Sequence, residues 1–288
     1  QVTGEGEALD GAVITLSGSQ SGTTTTNSSG SYSFTVTAEG NYTVAVSKTH
    51  YAFSPQSLNF TSLSRNEAAN FSGTLDQHAI SGQITSENGA GIKSVTIALS
   101  GGESRLTMTD ANGNFNFPNL AAGETYAVTP SLDGYEFTPL GKMFTNLSTD
   151  QSVSFVGFVL PQLLLDETGP DPERAVALES LLLVRDPFRV QSVGDWLNLG
   201  SNQNTRLIIF AANLNLNPSE GPSAVVIKLV DGNGQNHEVF AEDVRLVPNS
   251  SIAQITFRLP DGLAAGTCAI SIRFHSLNSN AGTVSISP

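Results

Sequence analysis

Several things are scarce in this chain, and each scarcity excludes something. One cysteine, Cys268, among 288 residues rules out an internal disulfide, so no part is a small stapled fold. Basic residues are few: 13 Lys plus Arg stand against 26 Asp plus Glu, for a formal charge of −13 spread along the chain. No segment gathers the cationic patch that phosphate binding needs, which excludes nucleic acid as a partner, and anionic lipid would repel such a surface. No run approaches the roughly 18 apolar residues of a membrane span. The first residues lack the charged-then-apolar pattern of a signal peptide. Helix-period patterning is sparse as well.

What the chain does have is 27 glycines, abundant Ser, Thr and Asn, and short apolar runs cut by turn residues. That combination predicts an all-β protein, and the length allows two or three domains. Poverty in lysine with wealth in Ser, Thr, Asn and Gly predicts an extracellular or cell-surface location.

The first half repeats itself. Gly18 matches Gly101 and Gly30 matches Gly113; after one inserted residue, Tyr42 matches Tyr126, and Tyr51, Phe53 and Pro55 match Tyr135, Phe137 and Pro139. Phe60, Leu63, Phe71 and Gly73 continue the series with Phe144, Leu147, Phe155 and Gly157. Ala12, Ile14 and Leu16 alternate with polar or smaller neighbours, as do Val95, Ile97 and Leu99, which is the period of a strand with one buried face. Asn27 to Gly30 and Asp110 to Gly113 then supply turn chemistry. Tyr32 with Phe34, and Phe115 with Phe117, are expected as inward aromatics on the returning strands. Pro55 and Pro139, lacking a donor, belong at an edge or a strand end.

The pattern Ile80-Ser-Gly-Gln-Ile, Val95-Thr-Ile-Ala-Leu-Ser-Gly, Thr109-Asp-Ala-Asn-Gly-Asn-Phe-Asn-Phe117 and Gly134-Tyr-Glu-Phe-Thr-Pro139 resembles the carboxypeptidase regulatory-like repeats of bacterial surface and secreted proteins, relatives of the collagen-adhesin B-type repeats. The resemblance covers about residues 1–157. It implies seven-stranded sandwiches acting as spacers, stalks or adhesin stems, without a peptidase site. Some relatives carry a Lys–Asn amide cross-link, but Lys48, Lys93, Lys142 and Lys228 lie on no first strand, a departure that argues against one.

After residue 157 the character changes. The apolar stretch Phe158 to Leu165 precedes a connector containing Asp166, Glu167, Asp171 and Glu173. Strands are expected at Leu181–Val184, Arg206–Leu214, Val225–Val230, His237–Val247, Ile252–Leu259, Cys268–Phe274 and Thr283–Ser287, enough for one more sandwich. This part resembles an uncharacterised module of secreted acidobacteria-like proteins. The expected architecture is three tandem immunoglobulin-like sandwiches: residues 1–74, 75–157 and 158–288.

Catalysis finds no footing. His50, His78, His237 and His275 are scattered, and no Gly-x-Ser-x-Gly elbow occurs. Cys268 alternates with Ile270 and Ile272, as a buried thiol would. Asp110 lacks the later glutamate of a calcium loop, which leaves a plain turn. No catalytic residue, cofactor or metal is expected. Trp196, in a loop-like stretch before Asn198–Asn204, is either a core plug or a contact for a surface glycan or protein.

The expectation is a non-enzymatic shaft or subunit of a bacterial surface filament that associates with itself or with neighbouring modules. The alternatives are an adhesin or glycan-binding module and an accessory region of a larger secreted enzyme. Gln1, Val2 and Thr3 match Gln83, Ile84 and Thr85, so the first copy starts inside a strand. Either upstream residues complete that strand, or a neighbouring subunit does so by donating an extended segment. The expected donors are Thr283, Val284, Ser285 and Ile286, with Ser287, or the stretch Phe158, Val159 and Leu160 to Leu165.

Overall fold

The computed structural model describes the chain at residues 1–166, 171–179, 183, 185–191, 204–214, 216–217 and 219–287. Strands dominate, and among the described residues the only helical turn is Pro222–Ala224. The all-β expectation holds. The chain divides into two compact units, one made of Gln1–Ser131 with Phe137–Gly157, the other of Leu132–Glu136 with Phe158–Pro288.

Within the first unit each repeat builds two four-stranded sheets. Repeat 1 contributes β1 (Val2–Gly4), β2 (Glu7–Ala8), β3 (Val13–Gly18), β4 (Gly22–Thr25), β5 (Tyr42–Ser47), β6 (Tyr51–Ser54), β7 (Ser57–Phe60) and β8 (Phe71–Leu75). Their orders are β2-β1-β8-β6 and β4-β3-β5-β7. Repeat 2 contributes β9 (Gln77–Ser86), β10 (Thr96–Gly101), β11 (Arg105–Met108), β12 (Asn114–Ala121), β13 (Tyr126–Ser131), β14 (Tyr135–Thr138), β15 (Lys142–Phe144) and β16 (Gln151–Val159), ordered β12-β9-β16-β14 and β11-β10-β13-β15. Period-two alternation sends Ile14, Leu16 and Val44 from one sheet against Val2, Phe53 and Phe71 from the other, closing the first core. Pro55 and Pro139 each directly follow a strand, as their missing N–H requires.

The turns fix register. Asn27 Oδ1 accepts from the Ser29 and Ser31 amides, and Asp110 Oδ1 accepts from those of Asn112 and Asn114. Gly113 follows with φ 78°, and a Cβ there would lie 2.1 Å from the Ile84 carbonyl oxygen, so the turn is pinned against the first strand of its repeat. Gly30 stands in the same relation to Val2. The residue inserted in the second copy appears as a register shift between Phe117 and Leu120, with Asn119 at φ 58°. Beyond it the copies realign: the Tyr42 hydroxyl donates to the Thr37 carbonyl and the Tyr126 hydroxyl to that of Ala121. At the junction of the repeats the Asp76 amide donates to the His50 carbonyl, the Ala122 amide donates to the Asp76 carbonyl, and His50 Nε2 lies 3.0 Å from Asn146 Oδ1.

The second unit is a further pair of sheets. Its strands are β17 (Gln162–Leu163), β18 (Ala177–Glu179), β19 (Phe188–Arg189), β20 (Arg206–Ala212), β21 (Val225–Val230), β22 (Asn236–Phe240), β23 (Asp243–Leu246), β24 (Ile252–Arg258), β25 (Gly266–Phe274), β26 (Leu277–Asn278) and β27 (Gly282–Ser287). One sheet runs β17-β20-β24-β23 with β18 also on β20, the other β19-β27-β25-β21-β22 with β26 on β25. The stretch His237–Val247, expected as one strand, is two: β22 pairs with β21 and β23 with β24, so the chain crosses between sheets at Ala241 and Glu242. Most of Leu181–Val184 lies outside the described residues. Cys268 is fully buried in the core, where burial pushes its thiol pKa up, in keeping with an inert side chain.

Candidate functional site

Repeat 2 shows what a complete first strand does. β9 lies between β12, antiparallel, and β16, parallel. Ile80 stands opposite Phe117 on one side and Gln151 on the other; Gly82 stands opposite Phe115 and Val153. Ile80, Phe115 and Phe117 are buried there.

In repeat 1 the corresponding sheet has the same register, and the described residues include Val2–Gly4 of that strand. Val2, Thr3 and Gly4 pair with Phe71, Ser72 and Gly73 as Ile84, Thr85 and Ser86 pair with Phe155, Val156 and Gly157. Beyond this ladder, residues 31–38, the counterpart of β12, and residues 66–70, the counterpart of the start of β16, belong to no strand. This corrects the expectation of a returning strand carrying Tyr32 and Phe34. A strand is defined by a neighbour's backbone, and among the described residues none stands between the two segments.

Between them runs a groove of about 660 Å³, walled by Tyr32, Phe34, Val36, Leu16, Phe60 and Leu63. Tyr32, Phe34 and Val36 are half-buried, in contrast to the buried Phe115, Phe117 and Leu120. The Tyr32 hydroxyl crosses the groove and donates to the Ala69 carbonyl at 2.7 Å, and burial raises its pKa. The Gln1 nitrogen donates to the same carbonyl at 3.2 Å and to Asn70 Oδ1 at 3.0 Å. The charged residues at the rim, Arg65 and Glu67, pair with each other at 2.6 Å. The groove therefore offers apolar side chains and backbone hydrogen-bonding groups, the two things an added strand uses. The Tyr32 bridge was not foreseen. Its one visible signal is that a tyrosine stands where the second copy has Phe115.

The other residues expected to act are placed as follows. Gln1, Val2 and Thr3 sit at the mouth of the groove. Thr283, Val284, Ser285 and Ile286 lie in β27, paired with β25 along one side and with β19 at one end, and Val284 and Ile286 are buried in the terminal core. Phe158 and Val159 end β16, the Leu160 carbonyl accepts from Asn213 Nδ2, and Gln162 and Leu163 pair with β20. Both expected donor segments are thus held by their own chain. Giving either away would expose apolar surface and leave backbone groups unpaired. Trp196 and most of Asn198–Asn204 lie outside the described residues.

Elsewhere the titratable groups serve the fold. Asp231 accepts from His237 Nε2 and from the amides of Gln235, Ala264 and Asn233, which together hold its carboxyl far below the ordinary carboxylate range. Lys228 Nζ lies 3.2 Å from Asn278 Oδ1 and 3.9 Å from Glu238, but this trio faces solvent, whereas amide formation calls for a desolvated amine. Among the described residues, no group of three or more His, Cys, Asp or Glu side chains could hold a metal ion. No helix there is long and apolar enough to cross a membrane.

Two β-sandwiches of one design in tandem, each opened by a strand parallel to its last, define a repeat module. The chain belongs to the carboxypeptidase regulatory-like domain family, whose pattern fits residues 1–71 and again 79–155. Over 155 residues it is 30% identical to Chitinase ChiA of Flavobacterium johnsoniae, a match covering 51% of this chain and 10% of that enzyme. The chain thus spans about a tenth of the length of this curated relative. Among solved structures it is similar to the TIE protein of Bacillus anthracis, at 12% identity and a TM-score of 0.46 over 100% of this chain and 47% of that one. It is also similar to BcpA, the major pilin subunit of Bacillus cereus, at 13% identity and a TM-score of 0.33 over 74% and 70%.

Proposed function

We propose that the chain is a non-catalytic structural element on the outside of a bacterial cell, a shaft or subunit of a surface appendage. The observation that carries this reading is the tandem repetition of one β-sandwich design over residues 1–71 and 79–155, each copy pairing its first strand parallel to its last. Family membership over residues 1–71 and 79–155 supports the structural role, since the resemblance to such repeats implies spacers, stalks or stems. The acidic, lysine-poor composition supports the location. Immunogold labelling of intact cells that make the protein tests it. Label on the outer surface or along extended structures is expected; label confined to the cytoplasm overturns it.

A second reading, an accessory region of a larger secreted enzyme, is favoured by the likeness to part of a chitinase. A native polypeptide that also carries a hydrolase domain would select this reading. An adhesin reading rests on Trp196, and retention of the protein on a glycan array would select it.

A further inference from the structure

We infer that Asn88 is a site of spontaneous covalent modification, at which the side-chain amide becomes a carboxyl ahead of the other Asn-Gly pairs because its own turn activates it. The property belongs to the fold of repeat 2 and holds wherever the protein resides.

Three Asn-Gly pairs occur: Asn88-Gly89, Asn112-Gly113 and Asn233-Gly234. A glycine presents its nitrogen with no Cβ to shield it. That nitrogen attacks Asn88 Cγ, forming an N–C bond as the Cγ–Nδ2 bond breaks. The proton shed by the glycine nitrogen goes to solvent, and Nδ2 takes one from solvent and leaves as ammonia. Water then opens the imide ring at either carbonyl, giving aspartate or isoaspartate with no change of oxidation state.

The three pairs share one turn frame. The Gly89 amide donates to the Ser86 carbonyl at 2.9 Å, that of Gly113 to Asp110 at 3.0 Å and that of Gly234 to Asp231 at 2.8 Å. What differs is the residue that opens the turn. Asn88 Oδ1 accepts from the Ala90 amide at 3.1 Å, which folds the side chain back over the Gly89 peptide, and from Ser86 Oγ at 2.6 Å. Ser86 Oγ also lies 3.0 Å from the Ala90 carbonyl, but a hydroxyl has one proton and the shorter contact takes it. Two donors on Oδ1 make Cγ more electrophilic and hold the negative charge that gathers on that oxygen as the nitrogen adds.

In the other two turns an aspartate stands in place of Ser86. Asp110 Oδ1 accepts from the Asn112 and Asn114 amides, and Asp231 Oδ1 from those of Asn233 and Gln235. A carboxylate has no proton to give to the asparagine oxygen, and its charge opposes loss of a proton from the nearby glycine nitrogen. Gly113 is also buried, whereas residues 87–90 are exposed and a Cβ on Gly89 would meet nothing within 4 Å. Asn27 Oδ1 accepts from the Ser29 amide and hydroxyl, but the residue that follows it is Ser28, whose side chain crowds the attacking nitrogen. Isoaspartate at position 88 routes the main chain through the former side chain and lengthens the link from β9 to β10, where the Ser86 amide bonds the Ala90 carbonyl at 2.8 Å.

The whole chain, aged in mildly alkaline buffer and then digested, tests this by mass spectrometry and isoaspartate content at each asparagine. In the folded protein Asn88 should convert at least about fivefold faster than Asn27, Asn112 and Asn233. In denaturant, where the turns are gone, the three Asn-Gly pairs should fall within about twofold of one another. Ser86→Ala should slow Asn88 by at least about threefold and leave Asn233 unchanged. A loosened turn would speed the reaction toward its unfolded rate, so damage to the fold cannot mimic that slowing. Equal rates for the three pairs in the folded protein, earlier conversion at Asn112 or Asn233, a preference that persists in denaturant, or an Asn88 rate unchanged or raised in Ser86→Ala would each overturn the inference.

Discussion

The two repeats share a topology, a turn and a register, and differ in how much of the first strand the described residues include. In repeat 2, β9 spans ten residues and its neighbours β12 and β16 span eight and nine. In repeat 1, β1 spans three, the counterpart of β12 is not a strand, and β8 spans five. The residues flanking the gap are as suited to a sheet in one copy as in the other: Tyr32, Phe34 and Val36 alternate as Phe115 and Phe117 do. Strand character at an edge is therefore conferred by the neighbour.

This contrast can be broken in several places. The largest effect is expected from Phe117→Ala, which empties a buried site in repeat 2 and should cost about 3–5 kcal/mol. Phe34→Ala at the matching, half-buried position should cost about 1 kcal/mol or less, because its ring already meets water. Hydrogen exchange resolved by segment under increasing denaturant measures both, and equal costs would show that Phe34 is as buried as Phe117 in solution. Next comes Gly113→Ala, where a positive φ and the Ile84 carbonyl both oppose a Cβ; about 1–3 kcal/mol should be lost from repeat 2 by the same measurement. Gly30→Ala should cost less, since the short β1 has fewer pairs to hold it in place against the intruding carbon.

A smaller effect is expected at the junction. His50→Ala removes the contact with Asn146 and should cost about 0.5–1 kcal/mol, seen as faster exchange at the Asp76 and Ala122 amides. The smallest is a difference in acid response. The Asn114 amide, followed by that of Asn112, holds the Asp110 carboxyl below its ordinary pKa, whereas Asn27 at the matching turn cannot titrate. A carboxyl with a lowered folded-state pKa contributes its full stability above about pH 4 and loses it as pH falls through the folded value. Thermal melts from pH 7 down to pH 3 should show a slight acid destabilisation in the parent that Asp110→Asn removes; an unchanged acid slope would place its origin elsewhere, with Asp231 the next candidate.

Much of this was legible in the residues. Alternation gave the faces of β3 and β10, and the Asn27 and Asp110 turns announced the reversals. The spacing of Cys268, Ile270 and Ile272 placed the thiol in the core. What escaped was non-local. His237–Val247 reads as one strand because both halves alternate, and the crossing at Ala241 and Glu242 depends on which sheet each half meets. Residues 31–38 read as a strand for the same reason, because pattern describes a face and not a partner. The pairing of Thr283–Ser287 is non-local too: β27 lies between β19 and β25.

The parallel pairing of first and last strands has a mechanical consequence. A chain that enters a repeat along β9 and leaves along β16 is loaded at opposite poles, so tension slides the two strands past one another and strains their bonds together instead of one at a time. Seven register pairs share that load in repeat 2.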